Sequence, residues 1–220
     1  MFIGHYGPAF AAKPLVKPVP LWLLFVAVQW LDFCWSGLVL LGVEKVRIVP
    51  GFTPASNLDL YYMPYTHGLI GALALAAGFA ALALLFVRER RLAAFAVIAG
   101  AVFSHWLLDL VVHVPDLPLF DDHAKVGFGL WRWLWISLPL ELALLAAGAI
   151  VYARTVPSKR RAGDAALWLF VAAMAAVELY GVFGPVPADP AEEARTALLA
   201  YGVLAALAGL VDWLRGTAKG

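Results

Sequence analysis

Six stretches of this chain are apolar over about 20 residues each, the length an α-helix needs to cross the hydrocarbon core of a bilayer. They lie at 20–43, 67–87, 92–113, 130–153, 165–186 and 196–214. Hydrophobic residues make up 63% of the chain and charged residues only 14%, whereas a soluble domain carries about 25% charged residues. The sequence therefore predicts an all-α integral membrane protein with about six transmembrane helices in a single domain, residues 1–220.

The charged residues between these stretches alternate in sign along the chain. Acidic residues follow the first, third and fifth stretches. Basic residues precede the first stretch and follow the second, fourth and sixth. The basic residues are Lys13, Lys17, Arg88, Arg90, Arg91, Arg154, Lys159, Arg160, Arg161, Arg215 and Lys219. Because loops rich in lysine and arginine stay in the cytoplasm, we expect a multi-pass protein of the bacterial inner membrane with both termini cytoplasmic. The net charge of +1 and the lack of a basic stripe argue against a nucleic-acid partner.

Polar residues interrupt the third stretch at regular intervals. The segment SHWLLDLVVHVPD, from Ser104 to Asp116, places His105, Asp109 and His113 four residues apart. Side chains at this spacing share one face of a helix. An ionisable side chain at bilayer depth costs roughly 3 kcal/mol or more, so these side chains need a partner. A metal ion is the partner that histidine and aspartate favour together.

Polar residues of other stretches are expected at a similar depth. Counted at about 1.5 Å per helical residue from the cytoplasmic ends, Asp32, Glu141 and His105 lie about 18 to 21 Å up. Asp109 and His67 follow at about 27 and 31 Å. This convergence predicts a metal site in the outer half of the membrane, with Asp32, His67, His105 and Asp109 as ligands.

Two segments outside the stretches bear on this site. If residues 2–12 form a short helix that re-enters the membrane, His5 approaches Asp32, because re-entrant backbone is tolerated where protein buries it. An interfacial amphipathic helix with His5 in solvent is the alternative, and the spacing leaves both open. The loop from Glu44 to Thr66 is long and rich in turn residues and tyrosine. We expect it to be a lid or binding loop that delivers His67.

Four short motifs carry a resemblance to a known family. HYGPA at His5, LD at Asp32, YTHG at His67 and SHWLLD at His105 occur in this order. In order and spacing they resemble the bacterial membrane-bound metal-dependent hydrolases, the YdjM-like proteins, over roughly the first 115 residues. That family is distantly similar to zinc-dependent phospholipases C and single-strand nucleases, which cleave phosphate esters at a metal cluster.

The resemblance implies a set of metal ligands, with Asp109 able to bridge two ions. The implied ligands are His5, Asp32, His67, His105 and Asp109. The chain also departs from the family pattern, because Cys34 and Trp35 stand where a second aspartate and a histidine are expected, and Gly68 replaces a serine. Either one metal position is missing, or Glu141 and His113 replace the lost ligands.

These observations predict a membrane-embedded hydrolase that acts on a phosphoester of a lipid-like substrate at the extracytoplasmic side. One to three divalent transition-metal ions are expected, with zinc favoured, although neutral histidine ligands also admit manganese, iron or nickel. His113 or Glu141 would relay protons, and Lys125 or Arg132 would neutralise a phosphate. The metal-site part is expected at about 1–153, with accessory helices at about 165–214.

Other interpretations remain open from the sequence. Intramembrane His, Asp and Glu also mark the pathways of ion-coupled transporters or carriers, and a non-catalytic scaffold could hold a structural metal. Glu141 could be neutral and satisfied by backbone freed at Pro139, and Glu178 could pair with Arg132. His113 and His123 could be ordinary solvated side chains.

Overall fold

The computed structural model describes residues 1–216, so Lys219 lies outside the described residues. Within residues 1–216 the chain forms eight α-helices and one two-stranded sheet. The elements are α1 (Tyr6–Ala12), α2 (Leu21–Val28), α3 (Trp30–Leu40), β1 (Lys45–Ile48), β2 (Leu58–Tyr62), α4 (Leu69–Ala83), α5 (Arg91–Val112), α6 (Leu134–Thr155), α7 (Arg161–Phe183) and α8 (Pro190–Leu214). Two 3-10 turns, Ile3–His5 and Leu130–Arg132, precede α1 and α6.

The all-α fold is confirmed, but six spans are not supported. In the described part of the chain, α5, α6, α7 and α8 are each long and apolar enough to cross a membrane. Helices α2 and α3 meet at a 55° bend and together make a fifth candidate. Helix α4 has only 15 residues, which is about 22 Å of helix against a hydrocarbon core of about 30 Å. The second apolar stretch is shortened because turns take up both of its ends.

The N-terminal segment lies inside the bundle. Helix α1 packs against α6, α2 and α5, and His5 and Phe10 have no exposed surface. The backbones of α1 and α6 approach closely at Gly7 and Gly148, where an added Cβ would meet the backbone of the other helix. Glycine is required at such a close approach because it has no side chain. The segment thus carries His5 into the protein rather than along the membrane surface.

The remaining helices enclose α1 and support the hairpin. Helix α4 packs along α5, while α8 contacts α2, α3 and α7. The loop predicted as a lid contains an unexpected antiparallel hairpin in which Ile48 pairs with Leu58. Trp35 and Leu60 belong to a small apolar cluster under this hairpin. The tip of the hairpin is held to the start of α6, because the Ala55 N–H donates to the Trp131 carbonyl at 3.2 Å.

Candidate metal centre

Asp109 lies at the centre of a buried cluster of histidines. The Nε2 atoms of His5 and His113 are 3.1 and 3.5 Å from its Oδ1. The Nε2 atoms of His105 and His67 are 3.0 and 3.6 Å from its Oδ2. All five side chains come from residues no more than 3% exposed. Four of the five histidines in the chain therefore face one carboxylate.

A second carboxylate borders this cluster next to His67 and His105. Asp32, on α3, places Oδ1 at 3.3 Å from His67 Nε2 and 3.4 Å from His105 Nε2. Its other oxygen accepts a 3.0 Å hydrogen bond from the Tyr201 hydroxyl of α8. Because the Tyr201 bond occupies Oδ2, Oδ1 is directed to the histidines.

Two overlapping groups in the cluster have the geometry to hold a metal ion. Asp32, His67 and His105 form one, and His5, His105 and Asp109 form the other, with ligand atoms within 4.8 Å of one another in each. The two oxygens of Asp109 face different histidines, as the distances above show. The cluster thus offers two adjoining positions rather than a single one.

The orientation of His105 favours a metal ligand over a simple hydrogen-bonded pair. Its Nδ1 is 2.7 Å from the carbonyl oxygen of Val28, and a carbonyl can only accept, so Nδ1 carries the proton. In the neutral ring, Nε2 then presents a lone pair toward two carboxylates, and this buried atom has no hydrogen-bond partner. Metal-bound histidines are oriented in this way by a backbone or carboxylate acceptor. The Val28 carbonyl is available because α2 ends there.

His67 is oriented by a longer chain of hydrogen bonds. The Thr66 hydroxyl donates its one proton to Glu44 at 2.6 Å, and therefore accepts from His67 Nδ1 at 2.8 Å. Glu44 also accepts from the N–H groups of Tyr65 and Thr66. Trp106 Nε1 donates to the His67 carbonyl at 2.8 Å, which fixes the backbone. As with His105, the proton is on Nδ1 and Nε2 faces the cluster.

His113 follows the same pattern with a carboxylate as its acceptor. Its Nδ1 is 2.9 Å from Asp116 Oδ1, and its ring lies 4.1 Å from that of Trp131. The residue is only 3% exposed, and its Nε2 lies 3.5 Å from Asp109 Oδ1. His113 therefore belongs to the buried cluster and is not a solvated surface histidine.

The position of His5 is set by the hydrogen bonds of the backbone around it, and not by a hydrogen bond to its Nδ1 atom. Its ring stacks on that of His105 at 3.7 Å, and its Nδ1 is buried without a partner. Glu141 accepts from the N–H groups of Phe2 and Gly4 at 2.7 and 3.3 Å. The backbone N–H of Ile3, between these two, faces Glu178. The nitrogen of Met1 lies 3.0 Å from Asp109 Oδ1.

These contacts identify the partners of two residues, Glu141 and Glu178, whose partners the sequence left open. Glu141 bonds the N-terminal backbone and not groups freed at Pro139, and Glu178 bonds the same segment rather than Arg132. Since three consecutive N–H groups end on these two carboxylates, Glu141 and Glu178 anchor the turn that carries His5.

The predicted substrate-binding residues lie away from the cluster. Lys125 donates to the Tyr61 carbonyl at 2.7 Å and pairs with Asp122 at 2.8 Å, so it joins its own loop to the hairpin. Arg132 is exposed on the turn before α6, and His123 is exposed in the outer loop. The structure does not bring these three residues to the metal centre.

A cavity of about 480 Å³ adjoins the centre. Its walls are the hairpin loop at 51–60, the C-terminal part of α7 and the N-terminal part of α8, and Asp32, His67, Asp109 and His113 line its inner end. The sequence treated α7 and α8 as accessory helices. A signal was present, because the α8 residues that line the cavity recur at helical spacing, namely Glu193, Thr196, Ala197, Ala200 and Tyr201.

No known protein family, curated protein or solved structure matches this chain. The resemblance to membrane-bound metal-dependent hydrolases therefore stays a prediction. The metal centre rests on the donor set and its geometry.

Proposed function

We propose that this chain is a membrane-embedded, metal-dependent hydrolase that cleaves a phosphoester of a lipid-like substrate at the extracytoplasmic side. The observation that carries the proposal is the meeting of four imidazole Nε2 atoms with two carboxylates in one buried cluster. In three of these rings Nδ1 is bonded outward. Packing alone does not require this shared orientation, whereas metal binding does.

The residues present fit a divalent transition metal. Asp32, His67 and His105 would hold one ion, and His5 and Asp109, with His105 shared, border the adjoining position. Nitrogen and carboxylate ligands in this ratio favour zinc. A bound ion of this kind supplies Lewis acidity, which polarises a phosphoryl oxygen and activates water.

The protein's own residues prepare the site in three ways. The Glu44–Thr66 pair and Asp116 hold the Nδ1 protons of His67 and His113, so that each Nε2 stays directed inward. Glu141 and Glu178 hold the turn of His5. Apolar residues of α7 and α8, including Val177, form a cavity wall suited to a lipid chain.

Elemental analysis of the purified protein is the first test. The protein is prepared in detergent without chelators, beside a His105→Ala/Asp109→Ala double variant and a His123→Ala control. We expect near-stoichiometric transition metal in the wild type and the control, and none in the double variant. A folded, metal-free wild type would overturn the proposal.

Release of phosphate or of a phosphorylated head group from lipid substrates tests the reaction itself. We expect turnover in detergent, its loss after chelation, and its return when the metal is added back. Failure of the metal-loaded protein to hydrolyse any phosphoester of a broad lipid set would exclude this substrate class.

One observation favours an ion-coupled carrier as the second candidate. The break between α2 and α3 frees the Val28 carbonyl beside ionisable groups, and carriers bind ions at such broken helices. A carrier leaves its substrate unchanged and responds to an ion gradient in vesicles, whereas a hydrolase converts its substrate in detergent. The two assays therefore separate the candidates.

A further inference from the structure

The cavity beside the metal centre has a mouth between α7 and α8. Val177 and Tyr180, on the C-terminal part of α7, line the cavity, yet they are 39% and 67% exposed. Gly181 and, on α8, Thr196 also line the cavity and are exposed. Residues that line a cavity and keep this much exposed surface lie at its rim. The cavity therefore opens sideways, between the last turns of α7 and the first turns of α8.

This mouth lies within the length of helix that a bilayer would cover. Both helices are long and apolar enough to cross a membrane. With 23 and 25 residues they are about 35 and 38 Å long, against a hydrocarbon core of about 30 Å. Val177 lies about 9 Å before the end of α7, and Ala200, which also lines the cavity, lies about 15 Å after the start of α8. At these depths the mouth faces the acyl chains of one leaflet.

The polarity of the cavity changes between the histidine cluster and the mouth. At the cluster the cavity is lined by Asp32, His67, Asp109 and His113. The Met1 ammonium also lines the cavity there and is paired with Asp109 at 3.0 Å. At the mouth the lining residues are Val177, Tyr180, Gly181, Thr196, Ala197 and Ala200. A ligand that matches both ends therefore has a polar part and an apolar part.

Two carboxylates on the same helices lie beside the mouth. Glu178 faces the Ile3 N–H, toward the N-terminal turn, and Glu193 lies in the first turn of α8. The residues between these two positions in the lining are uncharged. An apolar chain that passes between α7 and α8 therefore does not have to displace a charged group.

Small residues leave the mouth unfilled. A Cβ added at Gly181 would meet no atom of the described residues within 4 Å outside its own turn of helix. On α8, Ala197 and Ala200 present only methyl groups to the cavity lining. The cavity volume of about 480 Å³ lies within the range of about 300–1,000 Å³ that is usual for small-molecule sites. The mouth thus has room for a ligand chain.

We propose that a membrane lipid enters this cavity sideways through the mouth and binds with an alkyl chain between α7 and α8 and its polar part at the histidine cluster. The bilayer supplies alkyl chains at this depth, and the apolar mouth replaces surroundings that are equally apolar. The polar cluster then sets the direction of the lipid. The assignment rests on the proposed function only in taking the polar part to be the phosphoester.

Photocrosslinking in a bilayer tests where the chain lies. The probe is a phosphatidylcholine with a diazirine in the middle of one acyl chain, added as a small fraction of the lipid in nanodiscs that hold the full chain. After irradiation, adducts are located by mass spectrometry of the digested protein. We expect adducts at Ala197 and Tyr201, which line the cavity but are only 8% and 7% exposed. Leu199, 69% exposed on α8, is the reference for ordinary contact with lipid.

Filling the mouth should remove the inner adducts. Gly181→Phe should lower the adducts at Ala197 and Tyr201 at least fivefold relative to those at Leu199. Gly78→Phe is the matched control, because Gly78 is also an exposed helical glycine with open space at its Cβ, and it is not among the described residues that line the cavity. It should keep the wild-type pattern. If Gly181→Phe is not monodisperse, Ala200→Phe decides, with the same loss expected at Ala197.

Adducts confined to Leu199 and other exposed residues in the wild type would overturn the proposal. Inner adducts that persist in the filled variants would also overturn it. Metal analysis of the same samples separates this outcome from failure of the hydrolase proposal. A metal-free wild type with inner adducts contradicts the hydrolase and keeps the chain site. A protein that holds metal and hydrolyses lipids without inner adducts does the reverse.

Discussion

Two buried polar clusters lie at the two ends of α1, and they differ in how completely their groups are bonded. At the C-terminal end, Lys13 is 1% exposed and its ammonium contacts the carbonyls of Lys17 and Val19 and the carboxylate of Asp212. Asp212 also accepts from Leu21 N–H and the Tyr152 hydroxyl. At the N-terminal end, His5 joins the metal centre, where His105 Nε2 has no hydrogen-bond partner.

The difference separates a cluster that joins helices from one that could hold a metal ion. The three donors of Lys13 and the carboxylate oxygens of Asp212 are matched, so this cluster has no capacity for a ligand and serves to join helices. In the histidine cluster the Nδ1 atoms of His67, His105 and His113 are bonded, and the Nε2 atoms of all four rings converge on the carboxylates of Asp32 and Asp109. Full bonding therefore indicates packing, and directed lone pairs indicate a binding site.

The largest effect is expected for Asp109→Asn. Both candidate positions border this carboxylate, so its loss should weaken metal binding by well over the factor of about 100 that a supporting residue can cost. Metal content and lipid hydrolysis should both be lost from the folded protein, and its melting temperature should also fall, because the buried Met1 ammonium loses its carboxylate partner. Metal analysis and circular dichroism of the same sample measure this, and retention of full metal content would contradict the central place of Asp109.

Asp212→Asn should lower stability alone. It leaves the Lys13 charge buried without its counter-ion, which costs about 3–5 kcal/mol of stability. The melting temperature in detergent should fall, while metal content per folded molecule stays at the wild-type value. Metal loss from the folded variant would mean that the two clusters are not separable.

Glu141→Ala should moderately lower both the stability of the protein and its affinity for metal. It removes the acceptor of two buried N–H groups, each of which costs about 1–3 kcal/mol when unsatisfied. It should also loosen the turn of His5 and so weaken metal binding. Glu141→Gln keeps an acceptor oxygen and is the control. Equal metal affinity in the alanine, glutamine and wild-type proteins would show that the anchor does not act through His5.

Thr66→Val should have the smallest effect, confined to the metal centre. It removes the hydroxyl between Glu44 and His67, and loss of such a supporting group lowers metal affinity about 10- to 100-fold. Competition with a chelator measures the affinity, and Thr66→Ser should restore it. Unchanged affinity in the valine variant would show that the Glu44–Thr66 chain does not orient His67.

The candidate metal centre was predictable because its members interrupt apolar stretches. His105, Asp109 and His113 share a helix face, and Asp32 and His67 were expected near their level. The structure places all five in one cluster, together with His5. Lys125 and Arg132 were selected by charge alone, and a basic residue in an outer loop has many acceptors within reach. Their positions therefore depended on how that loop packs against the hairpin.

The span count shows a limit of reasoning from hydropathy. The stretch at 67–87 is apolar throughout, yet turns leave α4 with 15 residues. The first stretch is continuous in sequence but bends by 55° at Gln29. Gly68 precedes α4, but neither the end of α4 at 84–87 nor the bend at Gln29 has a proline or glycine to announce it. Apolar composition reports residence in the membrane and does not determine where a helix begins and ends.

The sequence by itself determined that the chain is an apolar helical protein with histidine and aspartate side chains within its apolar stretches. It did so because hydrophobic length and helical spacing are local properties. Only the tertiary structure decided that α1 lies within the bundle, that Glu141 and Glu178 hold its N-terminal turn, and that α7 and α8 wall the cavity. These contacts join residues more than 100 positions apart, and their partners are set by packing, which no local pattern records.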